Sequence, residues 1–267
     1  MKSMPWSAML SDRNRRRLQK ARLQYGFLGA LGRLLIWPAM FVGWRLRDRL
    51  PFTRHRRRAG EEFDKEHGVH TVRDRSTEGA AEIDSEHWAA GTGYAASPPD
   101  TVRRSIRMLD IDHQEYVFID LGSGKGRVFL VASEFPFQEC LGVEYAPDLH
   151  EVAVKNIASF RSDKQRCMTL RAYCGDAAAF TLPASPLVLF FAHPFGGAVL
   201  DQFLQGVLRS LDETPRKMFV IYYDPICGEK FVEAGFREVG SHDLPRFHTF
   251  RNRRGKEFVI YENDVGS

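Results

Sequence analysis

Tyr116 to Arg127 reads Y-V-F-I-D-L-G-S-G-K-G-R. An apolar run leads into Asp120, and glycines then stand at Gly122, Gly124 and Gly126. A short apolar run bounded by such a turn predicts a buried strand, a tight turn and the start of a helix. Glycine tolerates positive φ and carries no Cβ, so backbone N–H groups of the turn can come close to a ligand. The ligand decides how the rest of the chain is read.

Spacing excludes two ligands. A dinucleotide fingerprint needs G-x-G-x-x-G, whereas Gly126 follows Gly124 by two residues. A phosphate loop needs G-x-x-x-x-G-K-[ST], but Ile119 stands where the first glycine belongs and Gly126 follows Lys125. The stretch resembles motif I of the class I S-adenosylmethionine (SAM)-dependent methyltransferases, D/E-x-G-x-G-x-G at the C-terminus of a first strand. The resemblance extends over about residues 100–262 and implies SAM as cofactor, held by Asp120, Gly122, Ser123, Gly124 and Gly126.

Outward from this turn the chain alternates. Strands are expected near 116–121, 139–144, 167–173, 186–192, 216–223, 235–241 and 256–262, with helices near 126–134, 148–160, 197–211 and 228–234. Such alternation means a mostly parallel sheet covered by helices on both faces, a Rossmann-like α/β fold of seven strands. The last two strands have no helix between them and straddle R-N-R-R-G-K, Arg251 to Lys256, so an antiparallel closing pair is expected. A preceding helix, Thr101 to Leu109, enters through Pro98 and Pro99 with Asp100 as its expected N-cap.

Ligands of open α/β sheets bind beyond the C-terminal strand ends. The second strand, E-C-L-G-V-E-Y, ends at Glu144 and Tyr145, and Glu144 can accept hydrogen bonds from two ribose hydroxyls. The third runs into Y-C-G-D-A, where Asp176 suits the exocyclic amine of adenine, with the Ala177 backbone beside it. Asp176 could equally cap a following helix. An Asp–Gly turn, a Glu and an Asp at three successive strand ends are far more specific together than apart.

Within the class, D-L-G-S-G-K-G-R, G-V-E-Y-A-P and G-D-A, preceded by G-Y-A-A-S-P-P, resemble one branch. It holds bacterial methyltransferase-domain proteins of undefined substrate and is similar to the seven-strand protein lysine methyltransferases, including histone-modifying ones and those acting on the ATP synthase c-subunit. The branch has a Tyr before motif I, matched loosely by Tyr94 and Ser97, and Tyr94 and Trp88 are candidates for covering the cofactor. After the fourth strand the branch carries an Asn-Pro-Phe-like turn. This chain has F-F-A-H-P-F-G, which puts His193 in the Asn place. An imidazole there can bond an amine or take its proton near neutral pH. The fifth strand ends Y-Y-D-P, bringing Tyr223 and Asp224 to the same rim as further substrate-side candidates. His193, Tyr223 and Asp224 are the expected catalytic set. The expected reaction is methyl transfer to an amine such as a protein lysine; a lipid or small-molecule acceptor is the alternative. A non-catalytic SAM-binding module and a dinucleotide-dependent reductase are the rivals from other classes. Only one proline follows His193, unlike the N-P-P-[FYW] signature of DNA amino-methyltransferases, which argues against a nucleic-acid partner.

The chain has 267 residues, 43% hydrophobic, enough for one domain with an extension. Its net charge of +4 hides an asymmetry: residues 1–60 hold 15 Lys+Arg against 2 Asp+Glu, and the remaining 207 hold 23 against 32. Three regions are expected: a basic, apolar helical extension over 1–60, a polar lid or linker over 61–100, and the methyltransferase domain over 101–267. Between Arg clusters in residues 11–58 lies the apolar run Tyr25 to Trp44. Twenty residues can span a bilayer, but Arg33 would cost about 2.5–3.5 kcal/mol at its centre and Pro38 interrupts a helix. A helix lying on an anionic membrane surface fits better than spanning, with docking on protein as the other option. The expected location is cytoplasmic or peripheral on the inner face of a membrane; an Arg-rich, acid-poor start also matches a mitochondrial presequence. Cys140, Cys167, Cys174 and Cys227 show no C-x-x-C pair and no zinc spacing, so buried free thiols and no metal are expected.

Overall fold

The computed structural model describes residues 51–72, 94–192, 197–244 and 255–264. The extension before residue 51, Trp88 and His193 lie outside these residues. The described chain runs α1 (Pro51–His67), α2 (Pro99–Arg107), β1 (Val117–Leu121), α3 (Arg127–Ala132), β2 (Glu139–Glu144), α4 (Pro147–Ser159), β3 (Leu170–Cys174), β4 (Leu187–Phe191), α5 (Gly197–Glu213), β5 (Met218–Tyr223), α6 (Glu229–Glu233), β6 (Phe236–Asp243) and β7 (Lys256–Asn263).

The strands form one sheet in the order β3-β2-β1-β4-β5-β7-β6. The pairs β1–β2, β1–β4, β2–β3 and β4–β5 are parallel, and β7 pairs antiparallel with both β5 and β6. This is the expected Rossmann-like sheet. The closing pair is antiparallel as expected, but β7 inserts between β5 and β6, a long-range pairing (Phe219↔Glu262) that sequence order does not reveal.

Strand residues alternate between faces. Phe118, Phe190, Ile221 and Ile260 join a core with Val102 and Ile106 of α2 and Phe129 of α3. Ile119, Leu189, Val220 and Tyr261 join one with Leu200, Phe203 and Val207 of α5 and Phe231 of α6. β1 and β4 are buried along their whole length, which explains why both read as unbroken apolar runs. Their order reversal, where β1 pairs β2 on one side and β4 on the other, makes the crevice of the site.

Two local expectations change. Asp100 is not the N-cap of α2: Pro98 holds that place and Pro99 is the first helical residue, because proline's fixed φ suits a position whose N–H is unused. Asp100 instead accepts a 3.0 Å hydrogen bond from Arg103 within the first turn. The second concerns α1, which runs unbroken through the boundary expected at residue 60. Its Phe63 and His67 pack against Phe160 after α4, with ring centroids 6.4 and 5.2 Å from Phe160. Among the described residues no helix is long and apolar enough to cross a membrane.

Candidate functional site

The glycine turn is held from both sides. Gly122, Gly124 and Gly126 have φ of 79°, 55° and 93°, a region that other residues enter only with strain. The N–H groups of Gly122 and Ser123 both donate to Val143 O, at 2.9 and 3.0 Å, and Gly126 N–H donates to Ser123 O at 2.9 Å. Gly124 N–H donates to Glu144 Oε2 at 2.7 Å. The strand-end acid of β2 therefore shapes the turn after β1.

Asp120 and Glu144 are buried at 1% and 4% exposure. Burial pushes the Asp120 carboxyl well above the usual carboxylate range, and the neighbouring Glu144 charge adds to it. Burial raises Glu144 too, opposed by the N–H groups it accepts from Ala146 and Gly124. Neither carboxylate has a basic side chain in salt-bridge reach among the described residues. Asp120 Oδ2 and Ser123 Oγ are buried without a hydrogen-bond partner among them. Native proteins leave few such atoms unsatisfied. Two buried acids with no basic side chain beside them among the described residues suit a cationic, hydrogen-bonding ligand. Glu144 uses one lone pair on each oxygen and keeps capacity for two further donors.

Tyr145 follows Glu144, half-buried, and burial pushes its phenol up to about 12, so it is neutral and can donate. Asp176 takes the alternative role weighed for it: its carboxylate caps the short 3-10 turn over residues 177–179, accepting from Ala178 N–H at 2.8 Å. Ala177 is buried beside it. Tyr94 is brought onto the turn, its hydroxyl donating to Thr71 O at 2.6 Å and its ring filling the space above Gly124.

Tyr223 and Asp224, the residues expected on the substrate side, stand at the end of β5. Tyr223 Oη accepts from Arg56 at 2.7 Å, and burial holds its phenol up to about 12. Asp224 has φ of 51°, the only non-glycine residue with positive φ among those described, and its N–H donates to Glu257 O at 2.9 Å. Such outliers gather at functional rims, and Asp tolerates the conformation better than most residues.

Three further residues at this rim have no sequence signal of their own. Arg56 of α1 donates to both Tyr223 and Glu257, the latter at 2.9 Å, and Glu257 also accepts from Thr101 at 2.9 Å. Their partners are too distant in the chain for any local pattern to join them. Cys140 and Cys167 are buried, as expected, whereas Cys174 is exposed and Cys227 half-buried. Among the described residues no group of three or more His, Cys, Asp or Glu could hold a metal ion.

A family model for the histone methylation protein DOT1 matches residues 88–170, under a third of the chain but including the turn, Glu144 and its strand. No curated protein matches the chain. Solved structures similar to it include an RNA methyltransferase from Salinibacter ruber in complex with S-adenosyl-L-homocysteine, 18% identical over 65% of this chain and 95% of that one, with a TM-score of 0.41. A putative RNA methyltransferase from Pyrococcus horikoshii is 17% identical over 70% and 94%, with a TM-score of 0.42. A SAM-dependent methyltransferase from Leishmania major is 16% identical over 61% and 70%, with a TM-score of 0.45.

Proposed function

We propose that this chain, a class I SAM-dependent methyltransferase, delivers the methyl group to an amine nitrogen, with a protein lysine as the favoured acceptor. The observation that carries the cofactor half is the pair Asp120 and Glu144. Among the described residues neither has a basic partner; both are buried beside a positive-φ glycine turn, and one presents an oxygen without a hydrogen bond to those residues. SAM, when bound, supplies an electrophilic methyl on a cationic sulfonium and an ammonium group. A cationic ligand suits these carboxylates, and Glu144 has two acceptor positions left for vicinal hydroxyls. Tyr94, Ser123, Tyr145, Asp176 and Ala177 complete the assigned cofactor side.

The acceptor half rests on the rim. Tyr223 stays protonated near neutral pH, and Asp224 adds a carboxylate. An amine approaching as ammonium is attracted by the carboxylate and can donate its N–H groups to the phenol oxygen and to Asp224. It must lose a proton before it can attack, and His193, two residues past the end of β4 in the sequence, is the group assigned to take it. The rest of the catalysis is positioning: nucleophile, methyl and sulfur held in line away from water. The similarity of residues 88–170 to a histone methylation family supports a protein acceptor over a lipid or metabolite.

The test is to incubate the protein and methyl-labelled SAM with membrane and soluble extracts of cells lacking it, then to separate protein, lipid and small molecules. Label in protein that acid hydrolysis returns as methylated lysine supports the reading. Label confined to lipid or to a metabolite moves the acceptor to the alternative class. SAM binding without label transfer to any fraction leaves a non-catalytic binding module.

A further inference from the structure

Lys125 and Arg127 flank Gly126, and both are buried, at 1% and 4% exposure. Burying cations is costly unless their hydrogen bonds are met, and apolar side chains would cover a turn more cheaply. What these two do instead is reach back more than fifty residues. Lys125 Nζ donates to Val72 O at 3.0 Å. Arg127 Nε donates to Thr71 Oγ1 at 2.6 Å, and its Nη2 stands 3.6 Å from Asp64 Oδ1. Thr71 Oγ1 in turn donates to Asp64 Oδ1, while the N–H groups of Thr71 and Val72 donate to Asp64 Oδ2 at 2.6 and 2.9 Å.

The same short strap meets the turn at other points. Tyr94, whose ring covers Gly124, is tied to Thr71 O. Asn156 of α4 donates to both Lys125 O, at 2.8 Å, and His70 O, at 3.1 Å. A Cβ on Gly60 would come 2.8 Å from the Arg127 guanidinium, so α1 itself passes close to that side chain.

We propose that Arg127, Thr71 and Asp64 are positioning residues for the cofactor, holding the glycine turn in its binding shape through a strap over residues 60–72. The proposal rests on the reading of the turn as the SAM site. Its physical basis is preorganisation. Three positive-φ glycines in five residues give a turn with large conformational freedom when loose, and a ligand that must order it binds more weakly. The β2 strand holds the turn from inside through Val143 and Glu144. The strap holds it from outside.

The test measures binding of S-adenosyl-L-homocysteine by calorimetry on the full chain, at a temperature where circular dichroism shows each variant folded. Thr71→Val removes the hydroxyl that joins Arg127 to Asp64 and is expected to weaken binding about 5- to 20-fold. Thr71→Ser, which keeps the hydroxyl, should stay within about twofold of wild type, and Arg127→Met should behave as Thr71→Val does. Arg103→Met is the comparison, because it breaks the bidentate bridge to Glu134, away from the turn, and should lower the melting temperature without moving affinity by more than about twofold. If Arg127→Met does not fold, Asp64→Asn replaces it with the same expectation. Wild-type affinity in Thr71→Val, whatever its melting temperature, overturns the proposal. If wild-type protein binds no S-adenosyl-L-homocysteine at all, the methyl-donor reading fails first and takes this inference with it.

Discussion

The ring of Tyr94 occupies the space that a side chain on Gly124 would need: a Cβ built there would lie 2.2 Å from Tyr94 Cε2. Gly124 also sits at φ 55° and donates its N–H to Glu144, so three constraints meet at one residue. Gly124→Ala should therefore displace the Tyr94 ring or twist the turn, weakening SAM binding by about 10-fold or more and costing about 1–3 kcal/mol of stability. Isothermal calorimetry and thermal melting of the variant check both. Unchanged binding would mean that the turn does not touch the ligand.

Glu144 links the turn to the strand end, accepting from Gly124 and Ala146. Glu144→Ala removes two charge-assisted acceptors and leaves two buried N–H groups unpaired. Loss of even one hydrogen bond to a charged group, at about 1.5–3 kcal/mol, predicts a fall in SAM affinity of about 10-fold or more. An affinity equal to wild type would refute the ribose-binding role.

Asp120 bears on pH. Its carboxyl is raised in the folded chain by burial and by Glu144, so the folded protein holds that proton more firmly than the unfolded one does. The stabilising contribution is thus complete below the ordinary carboxylate range and is lost as pH rises through the raised value. Asp120→Asn should raise the melting temperature of the ligand-free protein near neutral pH by about 2–5 °C, while weakening SAM binding. In wild type, binding a cation should favour the ionised carboxyl and release a proton, which calorimetry in buffers of different ionisation enthalpy detects. A lower melting temperature in Asp120→Asn would contradict the strain assigned to this acid.

For the acceptor side, His193→Ala should cut turnover by about 100-fold or more while leaving SAM affinity within about twofold. The label-transfer assay provides turnover and calorimetry provides affinity. Equal loss of both would move His193 from the substrate side to the cofactor or to folding.

The sheet and its cofactor crevice are readable in the sequence because their signals are local. β1 and β4 are fully buried and so appear as unbroken apolar runs, and the turn declares itself by three glycines in five residues. Strand ends locate Glu144 and Asp176 for the same reason. The clamp around the turn is not readable. No local pattern marks Lys125 and Arg127 as buried, and their partners Val72 and Thr71 lie 53 and 56 residues away. Likewise Arg56 meets Tyr223 across 167 residues and Glu257 across 201. The N-cap of α2 falls two residues before Asp100 because the Pro98–Pro99 pair, and not the acidic side chain, sets where the helix begins.

The chemistry of the site depends on the turn from Asp120 to Gly126 receiving SAM. A direct test is a fluorescence titration of the purified full chain with SAM, S-adenosyl-L-homocysteine and NADH, run beside Glu144→Ala. Saturable binding of SAM and S-adenosyl-L-homocysteine, none of NADH, and a loss of affinity of about 10-fold or more in Glu144→Ala is the result expected. Binding of NADH in preference to SAM, or SAM binding indifferent to Glu144, would contradict it.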